Sequence, residues 1–124
     1  MIDHITFRAS NVDNAKTFYS EVLKPLGYTV GFDQTLDGVR IVGFLYAGKL
    51  DTWFTDDKPP TTKVHVAWVA QTQEQVDQFY EAAIKAGGTD NGAPGLRPHY
   101  HSDYYAAFII DPDGNNIEAV CRKL

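Results

Sequence analysis

The chain has 124 residues, enough for one ordinary core and too few for two independent ones. Its 44% apolar and 22% charged residues are a globular balance that excludes disorder, and a net charge of −5 with no Lys/Arg cluster excludes non-specific nucleic-acid binding. No apolar run approaches a membrane span, and Met1-Ile2-Asp3-His4 has neither the charged nor the apolar region of a signal peptide.

In chain order, residues 4–9 read as a strand with Ile5, Phe7 and Ala9 on one face and His4, Thr6 and Arg8 on the other. Val12, Ala15, Phe18, Tyr19, Val22, Leu23 and Leu26 then recur at helical spacing, with Asn11 as N-cap and Gly27 as the stop. β-Branched and aromatic residues predict strands over 28–32 and 39–46, and Ala47-Gly48-Lys49 turns the chain into a strand over 51–54. Asp56-Asp57-Lys58-Pro59-Pro60 opens a linker near 56–62, between a first module (1–57) and a second (63–124). Residues 65–70 form another alternating strand. A helix follows through Val76, Phe79, Tyr80, Ala83 and Ile84, opened by Thr72 and Gln75 as a capping box and closed by Gly87-Gly88. Residues 89–103 read as irregular, and a loop of that length in a compact domain is often functional. A strand over 104–110, the turn Asp111-Pro112-Asp113-Gly114 and a returning strand over 116–121 complete the chain. The lone Cys121 excludes an internal disulfide, fits the cytoplasm, and reads as a buried structural thiol.

The two modules are copies. A shift of 61 residues aligns 4–27 with 65–88 without a gap, and six of the 24 pairs are identical, among them His4/His65, Phe18/Phe79 and Tyr19/Tyr80. Chance gives about one or two. The expected fold class is therefore α+β: two βαβββ modules forming a cupped, mostly antiparallel eight-stranded sheet with helices on its outer face. The helices cover Ile5, Phe7, Val66 and Trp68. His4 and His65 are then expected on the concave face, converging near a local two-fold axis.

Hairpin parity adds a carboxylate. If Ile110 pairs with Asn115, Glu118 lies opposite Ala107 and Val120 opposite Tyr105, all on the concave face. A carboxylate among the apolar residues of Asn116-Ile117-Glu118-Ala119-Val120 needs a partner or a cation when buried. Two imidazoles and one carboxylate suit a divalent ion with open positions, so His4, His65 and Glu118 are the candidate metal ligands. Against this, a lone strand histidine or an edge-strand glutamate is ordinarily a solvated or packed residue.

The combination Asp3-His4-Ile5, Phe18-Tyr19, His65 and Asp111-Pro112-Asp113-Gly114-Asn115-Asn116-Ile117-Glu118 resembles the vicinal oxygen chelate superfamily. That group includes glyoxalase I, bleomycin-resistance proteins, fosfomycin-modifying enzymes and extradiol dioxygenases. The resemblance implies paired βαβββ modules and metal ligands on the first strand of each module and on the last strand of the second. Those positions match His4, His65 and Glu118. It also implies a homodimer and a bound divalent ion (Fe, Mn, Ni or Zn). Glyoxalase I has a second carboxylate in its first module. Counting from the turn glycine puts that place at Thr52, with Asp51 adjacent, so Thr52 is expected to face substrate and glyoxalase I activity is not expected.

Arg97, His99, Tyr100, His101, Tyr104 and Tyr105 crowd beside the proposed site. Tyr105 is expected to donate to a metal-bound oxygen and His101 to act as acid or base. Arg97 and Tyr100 are expected to bind substrate, Arg97 through an anionic group. The expected activity is that of a metal-dependent enzyme of lyase, isomerase or dioxygenase type, acting on a small substrate held through adjacent oxygens. The alternative is a metal-free binding protein of the bleomycin-resistance type.

Overall fold

Ile5 and Phe7, like Val66 and Trp68, give the first strand of each module one apolar face, and a helix packs on it. The computed structural model describes residues 1–123. Its elements run β1 (Ile5–Arg8), α1 (Val12–Leu23), a 3-10 turn (Lys24–Leu26), β2 (Thr29–Leu36), β3 (Val39–Tyr46), β4 (Lys49–Thr55), β5 (His65–Val69), α2 (Gln73–Lys85), β6 (Thr89–Leu96), β7 (Tyr105–Ile110) and β8 (Asn116–Cys121). This is the expected βαβββ order, twice. The eight strands fall into two mixed four-stranded sheets, β1-β4-β3-β2 and β5-β8-β7-β6. In each, the module's first and last strands pair in parallel and the other pairs are antiparallel. Among the described residues no helix is long and apolar enough to cross a membrane.

Both helices start where the sequence places their caps. Asn11 Oδ1 accepts from the Asn14 amide at 3.0 Å, and Thr72 Oγ1 accepts from the Gln75 amide at 3.1 Å while Gln75 Oε1 takes the Gln71 amide. Gly27, at φ +100°, ends the 3-10 turn in the left-handed region that favours glycine.

One core serves both modules. Phe7 stacks on Phe54 at 5.1 Å, Tyr19 lies 4.4 Å from Phe54, and Trp68 of the second module lies 6.4 Å from Phe7 of the first. Cys121 is a buried free thiol in the same core.

Polar bonds tie the β7–β8 turn to the first module. Asp113 accepts from the Ser10 amide at 3.0 Å and from Ser10 Oγ at 2.5 Å, and Tyr19 donates to Asp111 at 2.5 Å. Burial and the Asp111 carboxylate push the Tyr19 phenol well above its usual range.

Two expectations need correcting. Part of the segment expected to be irregular, Thr89–Leu96, is an edge strand. Its Thr-Asp-Asn-Gly-Ala-Pro-Gly-Leu sequence lacks alternation because the pairing breaks register on both sides of Gly92, and Pro94 is tolerable at an edge. The β7–β8 hairpin is also one residue longer than expected: Ile110 pairs with Asn116, not Asn115. The Asp111 carboxylate takes the backbone amides of Asp113 (2.9 Å) and Asn115 (2.8 Å), which draws Asn115 into the turn.

Candidate functional site

The one-residue shift decides which side chains meet. Cross-strand pairs are Ala67–Glu118 and Glu118–Phe108, so these three share the face away from the helices, as do His65 and Asn116. On the helix side lie Ile117, Ala119, Ala107 and Ile109, all members of the core. Ala107, the expected partner of Glu118, and Tyr105, expected on the same face, are therefore on the opposite one.

Glu118 is 1% exposed, and neither Ala67 nor Phe108 has a polar side-chain atom to offer it. Two polar side chains do. His65 Nε2 lies 2.8 Å from Glu118 Oε1, and the Tyr104 phenol donates to Oε2. The His65 side chain is half exposed, so the pair opens to solvent through the imidazole. Burial and the Glu118 bond push the Tyr104 phenol up to about 12, so it stays a donor at neutral pH.

Tyr104, which hairpin parity passed over, thus takes the place expected of Tyr105. Tyr105 points to the helix side and donates to Asp77 Oδ1 of α2 at 2.6 Å; that bond and burial push its phenol up to about 12. Tyr104 directly precedes β7, and its even number sets it opposite in parity to the core residues Ala107 and Ile109; that signal needs the correct register.

The first module departs in the same way. Register shifts between Phe44 and Leu45, where Phe44 pairs with Thr52 but Leu45 pairs with Leu50. This bulge carries Thr52 to the helix side. There it is 1% exposed, and Trp68 Nε1 donates to its Oγ1 at 3.2 Å. Thr52 is therefore on the helix-side face of β4, yet it also lines the cleft that holds His4. The duplication and the parallel pairings Thr6–Trp53 and Ala67–Glu118 make Trp53 the counterpart of Glu118. Trp53 packs edge-on against Phe32 at 5.5 Å, over Gly43.

His4 is not beside His65 and Glu118 in the chain. Its Nδ1 lies 2.7 Å from Asp3 Oδ1, and it lines a cleft of about 480 Å3 with Asp51, Tyr28, Ala67 and Val69. The bond to His4, ahead of the Lys49 ion pair, lowers the Asp3 carboxyl below its usual range. His65 lines a separate cleft of about 430 Å3 with Asn91, Gly92, Arg97, Tyr100, Phe108 and Asn116. Among the described residues no group of three or more His, Cys, Asp or Glu side chains converges. The sheets meet so that the start of β1 lies near the far end of β5, as Val69 beside His4 indicates. The expected convergence within one chain does not occur.

From the aromatic loop, Arg97 and Tyr100 reach the His65 cleft. Arg97 is braced by Gly95 O (2.8 Å) and Ala93 O (2.7 Å), with its guanidinium 5.4 Å from the centre of the Phe108 ring. His101 does not line this cleft; it is exposed, with Nδ1 2.6 Å from Asp103.

The family model of the Glyoxalase/Bleomycin resistance protein/Dioxygenase superfamily matches residues 1–119. The chain belongs to that superfamily. The metallothiol transferase FosB of Shouchella clausii (strain KSM-K16) is 26% identical over 117 residues, covering 94% of this chain and 77% of its own. A glyoxalase/bleomycin resistance protein from Albidiferax ferrireducens T118 is 28% identical, with a TM-score of 0.75 over 99% of both chains. The fosfomycin resistance protein FosX of Listeria monocytogenes shares the fold at 17% identity, with a TM-score of 0.73 over 100% of this chain and 94% of its own.

The donor set fits a divalent ion in part. Nitrogen and oxygen ligands at about 2.1 Å from one ion stand about 3 Å apart when adjacent. His65 Nε2 and Glu118 Oε1 are 2.8 Å apart, so an ion could replace the hydrogen bond with little movement. That is two of the three expected ligands, and among the described residues no third His, Cys, Asp or Glu side chain joins them.

Proposed function

We propose that this protein is a divalent-metal-dependent enzyme, of lyase, isomerase or dioxygenase type, that acts on a small substrate through adjacent oxygens. The observation that carries this reading is the His65–Glu118 pair, buried on the carboxylate side and open on the imidazole side. Its ligand set is completed by His4 of a second copy. A two-fold dimer sets the first module of each copy against the second module of its partner, so the same pairing of clefts occurs twice. Residues 1–124 act as one domain in this reading, since both modules share a core. The cytoplasm is its setting.

The bound ion, whether Fe, Mn, Ni or Zn, supplies Lewis acidity toward paired substrate oxygens. The chain's own residues do the rest. Arg97, with no acidic side chain among its cleft neighbours, attracts an anionic group; Tyr100 walls the cleft; Phe108 excludes water from one side of His65. Trp53 and Phe32 would face the same site from the partner. His101 and Tyr105 have no role in this reading, because one is turned to Asp103 and the other to Asp77. Glyoxalase I activity is disfavoured because an indole stands where a second carboxylate would be needed. The metallothiol name of the Shouchella relative supports metal chemistry on this fold.

The test is complementation. Wild type should bind close to one divalent ion per chain, and His4→Ala, His65→Ala and Glu118→Gln each under about a tenth. Refolding His4→Ala together with His65→Ala should restore about a quarter of the sites, because half the dimers are mixed and each holds one intact site. Metal in wild type without recovery in the mixture would place the site within one chain. No metal in wild type would leave the metal-free binding reading.

A further inference from the structure

Glu118 has two oxygens and two polar partners of different kinds. The imidazole of His65 is on Oε1, and the phenol of Tyr104 is on Oε2. Tyr104 is held from several directions. The Arg122 guanidinium sits 4.7 Å from its ring centre, and Tyr100 meets the ring edge-on at 5.2 Å. Its backbone is fixed as well: the Tyr104 amide donates to His101 O (3.2 Å), and Tyr104 O accepts from the Arg97 amide (2.7 Å). The loop between Arg97 and Tyr104 is thus closed on itself, and the phenol reaches Glu118 from a braced position.

A carboxylate that is free to rotate can take an ion through one oxygen or both, and the two modes use different numbers of coordination positions. Its neighbours across the sheet, Ala67 and Phe108, offer nothing to restrain that rotation. We propose that Tyr104 is the positioning residue of this half-site, occupying Oε2 of Glu118 so that Oε1 alone is presented beside His65 Nε2. The inference rests on the metal reading of His65 and Glu118 and goes beyond it by naming the residue that sets the ligand's mode. The consequence is an extra coordination position left for substrate. Tyr104 acts through Glu118 and needs no contact with substrate.

The experiment compares wild type with Tyr104→Phe, using Co2+ alone as the probe. Outer partners of metal ligands typically change affinity by about 10- to 100-fold, and a loss of that size is expected by calorimetric titration. The visible absorption of bound Co2+ should shift as well, because the second oxygen becomes available. Equal affinity within about twofold together with an unchanged spectrum would overturn the proposal. Arg122→Gln, which keeps the phenol but removes its brace, should give the same spectral change with a smaller loss, and keeps the test open if Tyr104→Phe folds poorly. A second readout needs no metal: the 15N resonances of the His65 ring should move in Tyr104→Phe, since its carboxylate partner is no longer held. If wild type takes no Co2+, the metal reading fails, and the His65 resonances decide separately whether Tyr104 holds the carboxylate; unchanged resonances would overturn that claim too.

Discussion

Tyr19 of α1 donates its phenolic hydrogen to Asp111 of the β7–β8 turn at 2.5 Å, so the helix of one module holds the hairpin of the other. Asp111 is 7% exposed and also accepts from two backbone amides and from Asn115 Nδ2. The same carboxylate thus joins the modules and lengthens the turn that sets the position of Glu118. Removing the phenolic hydroxyl in Tyr19→Phe leaves the other donors in place, and should cost about 1–2 kcal/mol in urea unfolding. Asp111→Ala strands several donors at once and should cost more.

The hairpin register makes a second prediction. Tyr105 is bonded to Asp77 on the helix side, away from the candidate site. Tyr105→Phe should lower stability by up to about 1 kcal/mol and leave metal uptake unchanged, in contrast to Tyr104→Phe. Equal damage to metal uptake by both variants would contradict the pairing of Glu118 with Phe108.

Trp53 lies over Gly43, and a Cβ at that glycine would come within 2.7 Å of the indole ring. Gly43→Ala should therefore push the indole outward. A red-shifted emission and a loss of about 1–3 kcal/mol are expected, measured together in one denaturant titration.

A fourth prediction concerns acid. Bonds from Arg40, with Lys16 adding a contact at 2.7 Å, hold the Asp33 carboxyl down at about 2. An unfolded aspartate titrates at about 3.9, so the folded state favours the ionised form. The stabilisation is complete above about pH 4 and is lost as the pH falls through about 2. Asp33→Asn should therefore be less stable than wild type near pH 5, with the gap closing towards pH 2. Because the group is at the surface, added salt should narrow the gap.

Local chemistry carries most of the fold. The alternation of Ile5 and Phe7, the helical spacing of Val12 through Leu23, the caps at Asn11 and Thr72 and the offset that equates His4 with His65 all depend on neighbours a few residues apart. They were legible in the sequence for that reason. The strand Thr89–Leu96 was not, since an edge strand broken by register shifts needs no alternation.

The site is different, because it depends on parity, and parity changes with a single residue. Whether Tyr104 or Tyr105 meets Glu118 was decided by the Asp111 carboxylate capturing the Asn115 amide. Whether Thr52 or Trp53 corresponds to Glu118 was decided by a bulge between Phe44 and Leu45. The duplication established by itself that His4 and His65 are equivalent. Only the tertiary structure decided that they open into different clefts, because equivalence under a shift of the chain says nothing about how two sheet edges meet in space.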